Sequence, residues 1–186
     1  MKLQKLVIVG FGPYALRQEL DFEEKLQGKN MFVITGNTGA GKTTIFDAIN
    51  FALYGEASGS DREAKSLRSD FADSQTPTEV ELWFSLRGRE YYVKRTPAYI
   101  KPKQRGEGFI ESKPSAEIKL SKDKTVTGVT QVTREIESIL GITTEQFKQL
   151  VMIPQGEFKR LLNAKSEEKE DIHQDQTALH DLHLNS

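Results

Sequence analysis

The stretch at positions 34–55, "ITGNTGAGKTTIFDAINFALYG", constrains the fold more than any other part of the chain. Its residues 36–43 match the pattern G-x-x-x-x-G-K-[ST], in which glycines let successive backbone N–H groups turn inward and form a nest for anions. The apolar run at 30–36 predicts a buried strand before this loop. The helical spacing of the apolar residues after it predicts a helix that ends at Gly55. A strand, a glycine-rich loop and a helix in this order predict a site for nucleotide phosphates.

The residue types of this P-loop suit Mg²⁺-bound ATP. The unpaired N–H groups and the positive dipole end of the helix that begins near Lys42 favour an anion. The Lys42 ammonium is suited to the β- and γ-phosphates, and the Thr43 hydroxyl is suited to Mg²⁺. The alternative is a glycine-rich turn with an incidental lysine, which the flanking strand and helix patterns disfavour.

The remaining patterns predict short antiparallel elements and helices around the P-loop helix. An N-terminal strand ends in the turn "GFGP", and the segment at 16–22 is its candidate antiparallel partner. Hairpins are predicted at 79–96 and 116–128, helices at 130–141 and 143–151, and a Pro/Gly-rich excursion at 98–115. The fold class is therefore α/β, a mixed sheet with antiparallel hairpins around the P-loop helix.

Composition excludes several functional classes. The 186 residues contain no cysteine, which removes disulfides, a zinc ribbon and a thiol nucleophile and fits a reducing compartment. No apolar run approaches the roughly 18 to 20 residues that a membrane span needs. The expected partners therefore do not include a membrane, and the expected location is the cytoplasm.

The charge distribution predicts two parts, 1–165 and 166–186. The second part holds six of the 27 acidic residues but one of the 26 lysines and arginines, so the first part carries a small positive excess that permits nucleic-acid binding. All three histidines, at 173, 180 and 183, lie in this tail. A metal site and a solvated terminal segment are the two interpretations of these histidines, and the second is favoured.

Positions 87–105 are rich in cations interleaved with tyrosines, a composition typical of surfaces that follow a nucleic-acid backbone. The alternative is a solvated hairpin whose edges are protected by lysines. The candidate DNA-binding residues are Arg87, Arg89, Lys94, Arg95, Lys101, Lys103 and Arg105.

Four segments together carry a family resemblance: "FGPY", "GAGKTTIFDAINFALYG", "SLRSDFA" and "MIPQGEFKRLLNA". The chain resembles, from position 1 to about 172, the N-terminal half of the SbcC family, the ATPase subunits of bacterial SbcCD exonuclease complexes, which are ABC/SMC-related DNA-repair ATPases. The resemblance implies the N-terminal lobe of an ABC-type ATPase head at 1–165. Residues 166–186 then begin a coiled-coil helix or form a truncated or added tail.

The resemblance also assigns roles to residues. Gln155 in "PQGEF" matches the family's Q-loop glutamine, which joins the Mg²⁺ sphere and positions the attacking water; Lys42 and Gln155 are thus the candidate catalytic residues, with Thr43 and Gln155 at the metal. The turn after the first strand often carries basic residues in relatives, whereas this chain has Gly12, Pro13 and Tyr14 there. The candidate ATP-binding residues are Asn37, Thr38, Gly39, Ala40, Gly41, Lys42, Thr43 and Thr44.

Two parts that such an ATPase needs are not evident in the sequence: a Walker B aspartate after an apolar strand and an L-S-G-G signature. The family places both in a C-terminal half beyond a long coiled coil. The resemblance therefore implies several partners: the chain's own C-terminal head half, a second ATPase head in a homodimer, the nuclease subunit SbcD and double-stranded DNA near the nucleoid. The isolated chain is expected to bind nucleotide weakly and to hydrolyse almost none.

Two other functions remain open at this point. The first is an SMC- or RecF-like DNA clamp, in which nucleotide drives assembly and no nuclease is coupled. The second is a small P-loop kinase, which should show an arginine-rich lid and a second acidic strand end; neither is clear in this sequence.

Overall fold

The computed structural model describes residues 1–26, 41–56, 67–103 and 107–151. The chain divides into two compact units, Met1–Thr144 and Glu145–Ser186. Of the second unit only one helix, α4, is described. The boundary predicted between 165 and 166, the strand predicted at 30–36 and the histidines of the tail lie outside the described residues, so these remain predictions.

The first unit is built on a six-stranded sheet in the order β2-β1-β3-β4-β7-β8, and every neighbouring pair is antiparallel. A separate two-stranded sheet is formed by β5 and β6. The strands are β1 (Lys2–Val9), β2 (Gln18–Asp21), β3 (Glu79–Leu86), β4 (Arg89–Thr96), β5 (Tyr99–Pro102), β6 (Phe109–Ser112), β7 (Ser115–Ser121) and β8 (Lys124–Thr127). The helices are α1 (Phe22–Leu26), α2 (Lys42–Tyr54), α3 (Val129–Leu140) and α4 (Thr144–Val151). The predicted α/β class and both predicted hairpins are confirmed.

The burial pattern and the turn residues explain the hairpin between β3 and β4. Inward residues alternate with outward ones along both strands, as half-buried strands require. The two-residue turn places Arg87 at φ 51° and Gly88 at φ 75°. Positive φ at both central positions matches the twist of the flanking strands, and this is why short turns of this kind favour glycine.

The P-loop helix lies over the centre of the sheet. Helix α2 contacts β3 and β4, while α3 contacts β7 and β8 and also touches α2. Ten residues of α2 are buried, so the helix is enclosed on nearly all sides. On β1, Leu6, Val7 and Ile8 are fully buried, so both faces of this strand are covered. The core therefore holds both the strand that leads to the turn at 10–14 and the helix that begins with Lys42.

The Pro/Gly-rich excursion at 98–115 contains a hairpin that the sequence analysis did not predict. Strands β5 and β6 pair across this stretch, with Tyr99 opposite Ser112 and Pro102 opposite Phe109. The strands are four residues each, and Pro102 stands at the end of its strand, where a missing backbone donor is tolerated. Such short strands beside prolines and glycines give too weak an alternation for sequence reading. In the parts of the chain that the structure describes, no helix is long and apolar enough to cross a membrane.

Candidate nucleotide site

The helix start predicted from the motif is confirmed. Helix α2 begins at Lys42, and Gly41 is its N-cap with φ 81° and ψ 13°, a left-handed conformation that glycine adopts at no steric cost. The first N–H groups of a helix have no partner within the helix and carry its positive dipole end. The first turn contains no acidic residue, so no carboxylate of α2 repels an anion there.

The structure separates the roles of the two threonines of the motif. Thr43 is exposed, so its hydroxyl is accessible to a metal ion. Thr44 is buried, and its methyl group lies against Gly12, where an added Cβ would come within 2.6 Å of it. The side chain of Thr44 therefore packs under the turn after β1, and its backbone remains the part that can serve a ligand.

Four of the predicted ATP-binding residues, Gly41, Lys42, Thr43 and Thr44, are described and stand together at the start of α2. The other predicted residues of this site, Asn37, Thr38, Gly39, Ala40 and Gln155, lie outside the described residues. Their roles remain predictions.

The family resemblance drew attention to the turn between β1 and β2, but sequence reasoning did not predict that this turn contacts the start of α2. The phenol of Tyr14 donates a hydrogen bond to the carbonyl oxygen of Gly41 over 3.2 Å. A Cβ at Gly41 would lie 2.6 Å from the Tyr14 oxygen and 2.9 Å from a ring carbon of Pro13. The sequence signals were the compact "GFGPY", which predicts a turn, and the family resemblance of this segment; neither predicts that Tyr14 contacts Gly41.

The far end of α2 is held by Arg95 of β4. Its Nε donates to the carbonyl of Ala52 and its Nη2 to the carbonyl of Leu53, both over 2.8 Å. Nη2 also lies 3.0 Å from the hydroxyl of Thr133 on α3. This guanidinium therefore joins the sheet to both helices and supplies the positive charge that the C-terminal dipole end of α2 favours.

With Arg95 in place, three of the last four carbonyls of α2 have a donor. The N–H of Gly55 bonds to the carbonyl of Phe51 over 2.8 Å, and Arg95 donates to the next two. The single proton of the Thr133 hydroxyl has two carbonyls within reach, that of Val129 at 3.0 Å and that of Tyr54 at 3.4 Å. Burial lowers the pKa of Arg95 to about 10, so the side chain stays charged at neutral pH. Gly55 is fitted to this arrangement, because an added Cβ would come within 3.1 Å of the guanidinium.

Arg95 must therefore be withdrawn from the candidate DNA-binding residues. Its side chain is 1% exposed and its donors are directed at the protein's own backbone, so it does not reach a surface-bound phosphate. Side chains alternate between the inward and outward faces of β4, and Arg95 stands at an inward position. An argument from composition takes no account of this alternation.

The other predicted DNA-binding cations are divided between two sheets. Arg87 and Arg89 are exposed at the turn before β4, whereas Lys101 and Lys103 follow its other end. The first pair belongs to the β3–β4 hairpin and the second to β5 and the residue after it, in the separate two-stranded sheet. Arg105 lies outside the described residues.

Lys94 is engaged within the sheet. Its ammonium lies 2.7 Å from a carboxylate oxygen of Glu79 and 3.6 Å from one of Glu81. Burial lowers the pKa of Lys94, but these two carboxylates outweigh burial and raise it overall. Because its charge is balanced on the cross-strand neighbour, Lys94 contributes less to an external positive field than composition suggests.

A second concave surface lies between the segment after Leu67 and the β5–β6 sheet. Arg68 is fixed there by bonds to the carbonyl of Thr76 over 2.9 Å and to the hydroxyl of Thr78 over 2.7 Å. Its guanidinium also lies over the ring of Tyr99, 4.8 Å from the ring centre. The groove has a volume of about 850 Å³ and includes Ile100 and Phe109 in its lining.

Comparison of the chain with known protein families shows the family to which it belongs. The family model described as an AAA domain matches residues 5–183, so the chain belongs to the AAA domain family.

Two named relatives make the assignment more particular and confirm the resemblance to the SbcC family. Both are the SbcC subunit of the nuclease SbcCD: the chain is 40% identical over 176 residues to the protein of Vibrio cholerae and 42% identical over 176 residues to that of Staphylococcus saprophyticus. Each match covers 92% of this chain and 17% of the relative, so the chain spans 17% of the length of these proteins.

Among solved structures, the chain is similar to the SMC head domain from Thermotoga maritima. The TM-score is 0.40 at 22% sequence identity, and the match covers 73% of this chain and 42% of that one.

Proposed function

We propose that this chain forms the ATP-binding, N-terminal lobe of an ABC-type ATPase head that works in DNA double-strand-break repair. The observation that carries the proposal is the G-K-T segment at the start of α2, capped by left-handed Gly41 and contacted by the turn after β1. The relatives that match this chain are nuclease subunits by name, which favours a DNA-directed role over a small-molecule kinase.

The described residues fit Mg²⁺-bound ATP. The helix start offers N–H groups that have no partner within the helix, its first turn holds no acidic residue, and Thr43 presents an exposed hydroxyl, a hard oxygen of the kind Mg²⁺ prefers. Lys42 would neutralise charge on the outer phosphates, and Thr43 would hold the metal. When bound, Mg²⁺ supplies further neutralisation of the phosphate charge.

The complete reaction would need residues beyond these. Gln155 would position the attacking water, and the acidic metal ligand and the signature serine would come from a C-terminal head half and from a second head in a homodimer. In this proposal ATP binding brings two heads together on double-stranded DNA and gates a partner nuclease of the SbcD kind, in the cytoplasm near the nucleoid.

Nucleotide titration tests the role of the P-loop. A fluorescent ATP analogue with Mg²⁺ should bind the 186-residue chain weakly, and Lys42→Ala should abolish binding because the phosphate loses its cation. The matched control is Lys124→Ala, which removes an exposed lysine of β8 far along the chain from the motif. Equal binding by both variants would remove Lys42 from the site. Brisk ATP hydrolysis by the chain alone, abolished by Lys42→Ala, would contradict the proposal that half of the catalytic machinery lies elsewhere.

The DNA contact is tested by the salt dependence of duplex binding. The slope of log K against log salt is negative, and each lost phosphate contact reduces its magnitude by about 0.9. Arg87→Gln with Arg89→Gln, and separately Lys101→Gln with Lys103→Gln, should each reduce this magnitude if that pair follows the backbone. Lys122→Gln with Lys124→Gln, at the exposed β7–β8 turn, is the control. A slope unchanged by both test pairs would exclude these cations.

Coupling to a nuclease separates this function from a clamp. The same nuclease activity with and without ATP, measured with the partner nuclease present, would favour a DNA clamp whose nucleotide drives assembly. ATP-dependent cleavage that is lost in Lys42→Ala would support the proposed gating.

A further inference from the structure

The turn between β1 and β2 is held by backbone hydrogen bonds. Phe11 and Tyr14 exchange two backbone hydrogen bonds, of 2.9 and 3.0 Å. The N–H of Gly12 bonds to the carbonyl of Leu67 over 2.9 Å, and the N–H of Ser69 bonds to the carbonyl of Gly10 over 2.9 Å. The turn is thus closed on itself and bonded to the segment at 67–69, so the backbone that carries its side chains is held in place.

This hydrogen-bonded turn lies directly against the start of α2. Gly12 adopts φ 57° and leaves room for the side chain of Thr44, and Pro13 and Tyr14 occupy the space in which a Cβ of residue 41 would stand. Glycine at position 41 is therefore required by the protein's own turn as well as by its left-handed backbone. This requirement holds without any ligand.

The hydrogen bond from Tyr14 acts on a peptide group of the predicted phosphate loop. Its acceptor is the carbonyl oxygen of Gly41, and that carbonyl shares one rigid peptide plane with the N–H of Lys42. In a trans peptide the two groups point in opposite directions, so a contact that holds the oxygen also aims the N–H. Burial raises the pKa of Tyr14, and the phenol therefore remains a donor at neutral and mildly alkaline pH.

We propose that Tyr14 is a positioning residue of the nucleotide site, which orients the Gly41–Lys42 peptide so that its N–H is presented to the phosphates. The inference rests on the proposed ATP-binding function and adds a residue outside the motif to it. It also gives the turn after β1 a role in a chain that lacks a basic residue there.

The test is Tyr14→Phe, which removes one oxygen and keeps the ring that packs against Gly41. The matched control is Tyr54→Phe at the opposite end of the same helix, where the phenol also donates to a backbone carbonyl, that of Ile142, over 3.3 Å. With the fluorescent ATP analogue and Mg²⁺, Tyr14→Phe should raise Kd about 3- to 10-fold, the loss expected for one hydrogen bond. Tyr54→Phe should change Kd less than about 2-fold. An unchanged Kd in Tyr14→Phe would overturn the inference.

A second measurement on the ligand-free chain keeps this test apart from the proposed function. In an amide NMR spectrum, Tyr14→Phe should shift the Lys42 resonance, whereas Tyr54→Phe should leave it in place. If the unsubstituted chain and Lys42→Ala bind the analogue equally, the proposed function fails. In that case the amide spectrum alone decides whether Tyr14 orients the Gly41–Lys42 peptide. A Lys42 resonance that does not move then overturns the positioning role, and one that moves supports it.

Discussion

Substitution of Arg95 tests whether this residue has the structural role that its burial indicates or the DNA-binding role that the sequence composition predicts. The composition of 87–105 assigns this residue to a DNA-binding surface, whereas the structure buries its guanidinium between α2 and α3. The substitution Arg95→Met keeps much of the volume and the flexible stem but removes the charge and every donor. If the residue is a structural anchor, the free energy of unfolding must fall.

The size of this fall follows from the contacts that are lost. Two carbonyls at the end of α2, of Ala52 and Leu53, lose a charged donor at 2.8 Å. A buried group left without its partner costs about 1–3 kcal/mol, so the two together give about 2–6 kcal/mol. Removing a buried charge returns part of this, because its desolvation is no longer needed. We expect a net loss of about 3 kcal/mol, a large share of the roughly 5–15 kcal/mol that holds a domain folded.

Urea unfolding monitored by circular dichroism measures the change. With a slope of about 2 kcal/mol/M, the midpoint of Arg95→Met should fall by about 1.5 M. Arg89→Met is the matched control, since Arg89 lies on the same strand but is exposed, and its midpoint should stay within about 0.25 M at the usual cost of a surface change.

The opposite pattern would refute the reasoning. If Arg95→Met unfolds at the same urea concentration as the unsubstituted chain but binds duplex DNA with a smaller salt slope, Arg95 contacts phosphate and the burial argument is wrong.

Three further predictions concern the two ends of α2. Gly41→Ala forces an alanine to φ 81° and against Tyr14, so it should cost at least about 1–2 kcal/mol in urea unfolding and weaken binding of the ATP analogue. Thr133→Val should lower the free energy of unfolding by about 1 kcal/mol, because it removes the hydroxyl that Arg95 contacts; an unchanged midpoint would contradict that contact. Burial, followed by the charge of Glu137, raises the pKa of Tyr54 to about 12, so the stability this phenol contributes is complete below about pH 10 and is lost as the pH rises through 12. Tyr54→Phe should therefore flatten the alkaline decline of the unfolding midpoint, and an identical decline would exclude this residue as its cause.

The elements that the sequence predicted well are those governed by neighbouring residues. The start of α2 at Lys42 and its end before Gly55 follow from glycines in the left-handed conformation and from helical spacing. The hairpin of β3 and β4 follows from its alternation and its turn. The four-residue strands β5 and β6 were missed because their alternation is too short to stand out beside prolines and glycines.

For the candidate site, the sequence predicted residue types suited to phosphate and metal, but not the residues that pack around them. Spacing and residue type predicted roles for Lys42 and Thr43, because a phosphate loop is one continuous segment. Composition could not show that Lys94 is paired with Glu79, since that pairing depends on strand register. Nor could it tell that the threonine next to Thr43 is buried.

By itself, the sequence determined where the candidate phosphate-binding segment lies, which helix follows it and which family the chain resembles. Only the tertiary structure decided that Tyr14 holds the carbonyl before Lys42 and that Arg95 closes the other end of the same helix. The physical reason is distance along the chain: these contacts join residues 27 and 43 positions apart, and such pairs meet only when the sheet brings β1 and β4 to the two ends of α2.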